Sequence, residues 1–232
     1  MVIDLISATR YAEVDFWRKS ALGQSLARFA DDSRLVTHIA YENSLGLPTI
    51  YNQHIEQRAQ QAQSDISLFI HDDIWLDDIF WVDRLIDGLK KYDVVGLAGN
   101  KRRVKNQPAW CFVQDAKTGQ IRRDQIEFLS GSIAHGMAPN GIITRLGASD
   151  AECELIDGLF IAASNRRLAE TELYFDPRFA FHFYDLDFCR AARRKKLRIG
   201  TWPISVTHQS EGGFGSDSWY QSYKTYLQKW GD

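Results

Sequence analysis

Apolar and polar positions follow two alternating periods in the first part of the chain. Short apolar runs of the kind that form buried strands occupy residues 2–8, 35–41, 66–70 and 93–99. Between these runs, apolar side chains recur at helical spacing over 11–29, Pro48 opens a segment of helix formers, and Asp77 is the expected cap of a third helix. Alternating strands and helices are typical of a mostly parallel sheet flanked by helices, so the pattern predicts an α/β fold.

The pattern becomes less regular after residue 100. Residues 110–113 and 120–123 flank Lys117-Thr118-Gly119 and predict a hairpin, whereas 130–149 is dotted with glycine and predicts a loop. Four further elements are predicted: a strand over 154–163, a helix over 185–197, a strand over 198–207 and an aromatic helix over 219–230. No repeat or low-complexity linker separates these parts, and we expect one domain over 1–232.

Composition and charge narrow the class of protein. Hydrophobic residues make up 44% of the chain, enough for a real core, and the formal net charge of -2 provides no global basic field to attract nucleic acid. Cys111, Cys153 and Cys189 are an odd, widely spaced set, which is typical of a reducing compartment. Asp4 lies inside the first apolar run, which predicts a strand and not a signal peptide, and no run approaches the roughly 20 apolar residues that span a bilayer. We therefore expect a cytoplasmic protein.

The first candidate site is the sequence LFIHDDIW. An apolar strand ends there in His71, Asp72 and Asp73, which places acidic groups at the carboxyl edge of the sheet, where ligands of open α/β sheets bind. Carboxylate oxygens suit Mg²⁺ or Mn²⁺ that bridges phosphates. A turn followed by a helix cap explains the same two aspartates about equally well on the motif alone.

The second candidate site is the sequence FAFHFYDLDFCRAARRKK. Asp185 and Asp187 follow a cluster of aromatic residues and precede a helix that is rich in arginine and lysine. Capping and the helix dipole explain one aspartate at a helix start better than two. A carboxylate beside apolar rings can instead hold a raised pKa and take a proton from a hydroxyl nucleophile. Both aspartates are therefore candidate bases.

The third candidate is His208 in ISVTHQSEGGFG. A lone histidine is more often structural or solvated than a ligand, but this one follows a strand and precedes a glycine-rich segment, which favours a metal ligand. Glycine makes residues 211–218 easy to rearrange. The segment is either an ordinary surface loop or a lid that closes over bound nucleotide and Mn²⁺.

These motifs together resemble the GT-A glycosyltransferases, in particular the large family 2 group, over most of the chain. The resemblance implies a GT-A-like, Rossmann-type sheet with a nucleotide-sugar-binding half over about 1–100. It also implies a smaller mixed acceptor-side half over about 101–232, with a C-terminal lid and helix. The implied activity is metal-dependent transfer of a hexose from a nucleotide-diphosphate sugar, UDP-linked, to an acceptor hydroxyl in polysaccharide biosynthesis.

The resemblance also assigns a metal site and its cofactor, Mn²⁺ or Mg²⁺. Asp73 matches the metal-ligand position of the family's Asp-Asp-Asp motif, and Asp72 stands beside it as a ligand that also faces the donor diphosphate. His71 departs from the motif, because it occupies the first acidic place. His208 fills the position of a further histidine ligand that several metal-dependent members have.

The remaining implied roles concern the base, the nucleotide and the acceptor. Asp185 stands where inverting members have their catalytic base, and Asp187 is the competing choice. The acceptor is a glycan or a lipid-linked glycan, with Asp157-Gly158 on its side of the site or forming a tight turn. The basic run 193–196 is a solvated helix end or at most a peripheral contact with a membrane or an anionic lipid-linked acceptor. The expected nucleotide contacts are Ser7, Ala8, Thr9, Glu42, Asn52 and Asp72.

Two other classes of protein fit part of the pattern. His71-Asp72 is a His-Asp pair, as in metal phosphohydrolases, although that motif normally lies within helices. Seven tryptophans could serve a noncatalytic nucleotide-sugar or glycan-binding module, although Trp17 and Trp81 fall on apolar helix stripes. Hydrolysis of the donor in the presence of Mn²⁺ distinguishes the three classes.

Overall fold

The computed structural model describes residues 1–60, 64–115, 117–210 and 213–231. The helices are α1 (Glu13–Lys19), α2 (Ala21–Ala27), α3 (Leu47–Gln60), α4 (Trp81–Lys91), α5 (Asn165–Thr171), α6 (Tyr184–Arg194) and α7 (Asp217–Trp230). The strands are β1 (Ile3–Ala8), β2 (Leu35–Ala40), β3 (Ile66–Ile70), β4 (Ile74–Leu76), β5 (Val94–Gly96), β6 (Ala98–Asn100), β7 (Phe112–Gln114), β8 (Ile121–Arg123), β9 (Leu129–His135), β10 (Ile142–Arg145), β11 (Leu155–Ile156), β12 (Phe160–Ser164), β13 (Ile199–Thr201) and β14 (Val206–His208).

The main sheet has six strands in the order β13-β5-β12-β3-β1-β2. Its pairs are parallel except where β12 runs antiparallel between β3 and β5. Adjacent residues of β3 point into two different core clusters: Leu68 packs with Phe16 and Trp81 from the helices on one face, and Phe69 packs with Tyr51 and Phe188 on the other. Helices on both faces explain why β3 is continuously apolar. The predicted α/β fold with a mostly parallel sheet is confirmed.

A smaller mixed sheet has the order β11-β6-β9-β14-β4, with β10 paired to β9. The loop predicted over 130–149 is wrong, because β9 and β10 form an antiparallel pair there. Glycine in this region has a packing role. At Gly131 the φ angle is +96°, and a Cβ atom would lie 2.0 Å from the carbonyl oxygen of Leu97, so glycine lets β9 approach β6 closely.

Three predicted strands are each two short strands that belong to different sheets. Residues 93–99 form β5 in the main sheet and β6 in the smaller one. The predicted strand over 154–163 divides in the same way into β11 and β12, and the one over 198–207 divides into β13 and β14. The apolar pattern does not mark the first break, because Leu97 between β5 and β6 is buried, whereas Pro203 and Ser205 are exposed between β13 and β14.

Two predicted helix starts also differ from the structure. The helix predicted over 11–29 is two helices separated at Ser20, whose hydroxyl oxygen accepts the N–H of Gly23 at 2.9 Å and caps α2. Asp77 does not cap the next helix. Its carboxylate accepts the hydroxyl of Thr207 at 2.7 Å, and α4 begins at Trp81 after the unpredicted strand β4.

Asp4 is a buried acid of β1 at the end of the sheet opposite to the carboxyl edge. Its carboxylate lies 3.0 Å from His38 Nε2 and 3.3 Å from His54 Nε2, and it pairs with Arg58 and accepts the hydroxyl of Ser64. Burial acts to raise the pKa of Asp4, but the hydrogen bonds from His38, His54 and Ser64 outweigh it and hold the pKa well below the usual range.

We expect Asp4→Asn to lower the free energy of unfolding by about 3–5 kcal/mol, because it leaves the Arg58 guanidinium nearly buried without a counter-charge. Urea denaturation measures this difference. Since the folded pKa is lowered, the stabilisation is present above the unfolded pKa of about 3.9 and is lost as the pH falls below it. The difference in the free energy of unfolding between the wild-type protein and Asp4→Asn should therefore become smaller at acidic pH. As a control, Asp15→Asn removes an exposed ion pair with Lys19 and should lower the free energy of unfolding by less than about 1 kcal/mol. Equal losses in the two variants would contradict a stabilising role for the buried Asp4 network.

Candidate active site

Two cavities lie at the carboxyl edge of the main sheet. The smaller one has a volume of about 300 Å³ and the larger one about 360 Å³. Phe181, whose side chain is 51% exposed, lines both of them. The segment His71-Asp72-Asp73 after β3 also reaches both, with His71 in the larger cavity and Asp72 in the smaller one. The two cavities therefore adjoin at Phe181, and we treat them together as the candidate site.

The smaller cavity is formed by the loops that follow β1 and β2. Thr9 donates its hydroxyl to Asp72 Oδ2 at 2.6 Å, and the N–H of Asn43 donates to the carbonyl of Thr9 at 2.8 Å, so the two loops are tied together. On the other side, a Cβ atom on Gly46 would lie 2.7 Å from the Cα of Ala180. Glycine at this position lets the wall close. The lining residues are Ala8, Thr9, Arg10, Asn43, Ser44, Leu45, Gly46, Leu47, Asp72, Ala180 and Phe181.

His71, Asp73 and His208 form a compact group between the two sheets. Their ligand atoms lie within 4.8 Å of one another, with His208 Nε2 at 3.3 Å and His71 Nδ1 at 3.9 Å from the Asp73 carboxylate. Pairing of β14 with β4 aligns His208 with Ile74, and the N–H of Gln209 donates to the carbonyl of Asp73 at 2.9 Å. Sheet pairing therefore brings together residues that are far apart in sequence.

The electrostatics of this group suit a cation. Burial acts to raise the pKa of Asp73, but the hydrogen bond and charge of His208, together with His71, lower it to about 2. Burial lowers the pKa of His71, which keeps its imidazole neutral. Asp73 Oδ1 is buried and has no hydrogen-bond partner among the described residues. A desolvated carboxylate oxygen without a donor is costly unless a cation contacts it.

A second group of similar composition, formed by Asp4, His38 and His54, is a poorer candidate for a metal. Arg58 pairs with the Asp4 carboxylate and provides the positive charge that an ion would otherwise supply. This group belongs to the buried network described above.

Asp185 lies in the larger cavity at the start of α6. The N–H of Gly158 donates to its Oδ2 at 3.2 Å, and the neighbouring Tyr184 hydroxyl donates to the carbonyl of Gly158 at 2.8 Å and lies 2.7 Å from His71 Nε2. A Cβ atom on Gly158 would lie 2.4 Å from the Tyr184 hydroxyl, so this contact requires glycine. Burial and the charge of Asp157 raise the pKa of Asp185 to about 7.

Aromatic side chains form one wall of the larger cavity. The ring of Phe214 lies 5.0 Å from that of Phe112 and 4.7 Å from that of Trp219, measured between centroids. Phe181 stacks on His71 at 5.9 Å with an interplanar angle of 24°. Gly213 and Phe214 are thus beside the cavity, as the predicted lid requires, whereas residues 211 and 212 of that segment lie outside the described residues.

The structure separates the two candidate bases. Asp187 lies on a different face of α6 from Asp185. Its side chain is buried there and lines neither cavity. Its Oδ1 lies 2.6 Å from Lys229 Nζ and accepts the indole N–H of Trp230 at 2.8 Å, which ties α6 to α7. The geometry gives Asp187 a structural contact and leaves Asp185 facing the cavity.

The predicted nucleotide contacts divide into two sets. Ala8, Thr9 and Asp72 line the smaller cavity. Ser7 is buried and does not line it, and its hydroxyl has no hydrogen-bond partner among the described residues. Two others do not line either cavity. Glu42 is exposed with a φ angle of +48°, and Asn52 bonds through both ends of its amide to the backbone of Phe175, at 2.7 and 2.9 Å. Asn52 is therefore engaged in holding the segment before α6.

The basic run 193–196 is largely engaged within the protein. Arg193 pairs with Glu152 and Glu154 at 2.8 and 2.7 Å, and the Arg194 guanidinium lies 4.3 Å from the ring centre of Trp230. These contacts favour the helix-end interpretation over a membrane contact. Among the residues that the structure describes, no helix is long and apolar enough to cross a bilayer.

Several lining residues were not identified from the sequence. Asn43, Arg123 and His135 carry no motif, and Phe181 lies within the second candidate motif without having been singled out. They reach the site through loops, the β7–β8 hairpin and strand β9 of the smaller sheet. A signal for Arg123 does exist: it alternates with Arg122 in the predicted hairpin, so one of the two must face inward.

Known proteins resemble this chain in fold but not in sequence. No protein-family model matches the chain, and no curated protein matches it in sequence. The structure of GalNAc-T7 with UDP, GalNAc and Mn²⁺ is similar with a TM-score of 0.51 at 11% identity, over 98% of this chain and 48% of that one. This chain thus spans about half the length of that structure.

Two other solved structures are less similar. The catalytic domain of Drosophila β1,4-galactosyltransferase 7 with xylobiose gives a TM-score of 0.49 at 8% identity, over 96% of this chain and 79% of that one. The 4-diphosphocytidyl-2C-methyl-D-erythritol synthase from Anaerococcus prevotii gives 0.47 at 9% identity, over 98% of both chains. The likeness to GalNAc-T7 and the sheet topology agree with the resemblance found in the sequence: this chain has a GT-A-like fold.

Proposed function

We propose that this protein is a glycosyltransferase that moves a sugar from a nucleotide-diphosphate sugar, UDP-linked, to a hydroxyl of a glycan or lipid-linked glycan. The observation that carries the proposal is the Asp185 carboxyl. It has a pKa of about 7 and shares its cavity with two of the three residues of the His71–Asp73–His208 group. A base that titrates near neutrality, beside metal ligands at the carboxyl edge of an α/β sheet, supports displacement of a diphosphate.

The residues present fit a divalent cation. His71, Asp73 and His208 would hold it, and the unpartnered, buried Oδ1 of Asp73 is the atom that most needs it. A mixture of imidazole and carboxylate ligands favours Mn²⁺ over Mg²⁺, because Mg²⁺ takes oxygen ligands in nearly all of its sites. When bound, such an ion offsets the negative charge that develops on the leaving diphosphate.

The side chains around the ion perform the remaining tasks. Asp185 takes the proton of the acceptor hydroxyl, while the N–H of Gly158 fixes one of its oxygens. Tyr184 links Gly158 to His71 and so holds the base at a set position relative to the metal ligands. The smaller cavity, with Thr9 and Asp72, receives the nucleoside end of the donor. One displacement at the anomeric carbon inverts its configuration.

The decisive test is a donor assay with purified protein, UDP-sugars and Mn²⁺. A transferase hydrolyses its donor slowly when no acceptor is present. It transfers the sugar at a higher rate when an acceptor is added. A phosphohydrolase would instead cleave simple phosphate esters, and a binding module would retain UDP without turning over any donor. Either of the last two results would reject the proposal.

The segment after His208 provides a further expectation. We expect the amides of 213–218 to exchange with deuterium rapidly in the free protein and at least about tenfold more slowly with UDP and Mn²⁺ bound, because closure over the diphosphate orders the glycine-rich chain. His208→Ala should lower Mn²⁺ affinity and raise the ratio of donor hydrolysis to transfer. Equal exchange in both states would exclude a lid.

A further inference from the structure

Positive charge is concentrated in the part of the chain that walls the larger cavity. Residues 101–147 contain eight Lys and Arg and three Asp and Glu, a net charge of +5, whereas the whole chain carries -2. The segment forms the β7–β8 hairpin and the β9–β10 pair, and residues from both line the larger cavity. The segment that contributes this wall is therefore basic, although the chain as a whole is slightly acidic.

Arg123 is the cation of this segment that lines the cavity. It lies opposite Phe112 in the register of the hairpin, so the two side chains share one face. Arg122 lies opposite Val113 and points to the other face. The charge of Arg123 reaches neighbouring groups in the cavity wall: burial, His208 and Arg123 all lower the pKa of His135.

Arg123 differs from its neighbour Arg102 in having no counter-ion among the residues that the structure describes. Arg102 binds both carboxylate oxygens of Asp124. Among the described residues, no carboxylate lies within ion-pair distance of Arg123, whose side chain is exposed at the cavity. A planar guanidinium with free donors is suited to two parallel hydrogen bonds with a carboxylate or a phosphate.

The lining of the cavity contains charges of both signs. Asp157 and Asp185 are partly buried within it, and the exposed Arg123 lies on the hairpin. The acidic group of a ligand would be attracted to Arg123 and repelled by the carboxylates of Asp157 and Asp185, so a neutral hydroxyl is the part of such a ligand that would face Asp185. Phe112 and Phe214, whose rings lie 5.0 Å apart, provide an apolar surface for a sugar ring next to the cation.

We propose that the larger cavity binds an acidic saccharide, whose carboxylate or phosphate group is held by Arg123 while its ring lies against Phe112. The inference rests on the proposed function, because it makes this saccharide the acceptor. It assigns to Arg123 the role of a specificity-determining residue, and it adds a chemical class to an acceptor that the fold leaves open.

The test is a titration of the full chain, saturated with UDP and Mn²⁺, with glucuronic acid, glucose 6-phosphate and glucose, followed by NMR of the labelled protein. At least one acidic probe should bind about tenfold more tightly than glucose. Arg123→Gln should lower the affinity for that probe by about tenfold and leave the affinity for UDP unchanged. The matched control Arg122→Gln makes the same change in charge on the opposite face of the hairpin and should change the affinity less than about twofold.

Three results would overturn the inference: glucose binding as tightly as both acidic probes, equal effects of the two substitutions, or weaker UDP binding in Arg123→Gln, which would assign the arginine to the donor. The comparison of the two acidic probes identifies the carboxylate or the phosphate as the group recognised. The outcomes also separate the two proposals. If acidic probes bind through Arg123 but the protein turns over no donor, the transferase proposal is rejected and the acidic-saccharide site is supported. If transfer is efficient and does not depend on Arg123, the acidic-saccharide site is rejected and the transferase proposal is supported.

Discussion

We expect Asp185→Asn to lower the turnover of sugar transfer by a factor of about 10²–10⁴ and to leave the affinity for the nucleotide donor nearly unchanged. The amide preserves the shape of the side chain and its contact with the N–H of Gly158, but it cannot take a proton. Because the donor is expected to bind through Thr9, Asp72 and the metal ligands, its ground-state affinity does not depend on this proton transfer. Steady-state transfer rates and UDP titration by calorimetry measure the two quantities separately.

Asp187→Asn is the matched control, two positions along the same helix. It loses the charge that pairs with Lys229 at the junction of α6 and α7, so we expect lower stability with nearly normal turnover per folded molecule. The pH dependence adds an independent check. Since burial and Asp157 raise the pKa of Asp185 to about 7, turnover should rise as the pH increases through 7 and the base loses its proton. Loss of turnover in the Asp187 variant alone would move the base to that residue.

We expect chelation to abolish transfer and Asp73→Asn to lower the affinity for Mn²⁺ by more than about 100-fold. The estimate is a lower bound, because replacing a residue that merely supports a metal ligand already costs 10–100-fold. The fold should be retained, because the asparagine oxygen can keep the contact of Oδ2 with His208 and Oδ1 has no hydrogen-bond partner among the described residues. Manganese titration followed by electron paramagnetic resonance measures the affinity, and circular dichroism checks the fold.

The second Asp-His-His group offers the control for this experiment. His38→Ala removes a histidine from the Asp4 group and should leave Mn²⁺ binding intact, whereas His208→Ala should weaken it. Full activity in the presence of a chelator would reject the metal assignment. Loss of Mn²⁺ binding in the His38 variant instead would show that the ion binds to the group of Asp4, His38 and His54.

The sequence was sufficient where local pattern and topology agree. The strand β3 has the predicted bounds, 66–70, because a buried central strand must be continuously apolar, and the residues that follow it lie at the edge where parallel strands end. The hairpin around Lys117-Thr118-Gly119 is also present, since turn residues fix it locally. The GT-A-like fold follows from the same features together with the resemblance.

What the sequence could not provide depends on contacts between distant residues. The strands β9 and β10 were missed because glycine reads as a loop signal, whereas Gly131 is required by the carbonyl of Leu97 in another strand. Asn52 matched a family position but is engaged with the backbone of Phe175, 123 positions away. Asp185 and Asp187 differ by one helix face, and only the packing of α7 against that helix shows which of them is engaged.

The position of the metal-ligand group between the sheets has a thermodynamic consequence. His71 follows a strand of the main sheet, whereas Asp73 precedes β4 and His208 ends β14, both in the smaller sheet. An ion bound by all three joins the sheets, and at 100 times its dissociation constant it would stabilise the folded state by about 2.7 kcal/mol. A substitution that loosens the junction far from the ligands, such as Gly131→Ala, should in turn reduce the affinity for the ion. The loss of binding free energy should equal the loss in the stabilisation that the ion gives to the folded state. If the group binds Mn²⁺, chelation should therefore lower the melting temperature as well as the activity.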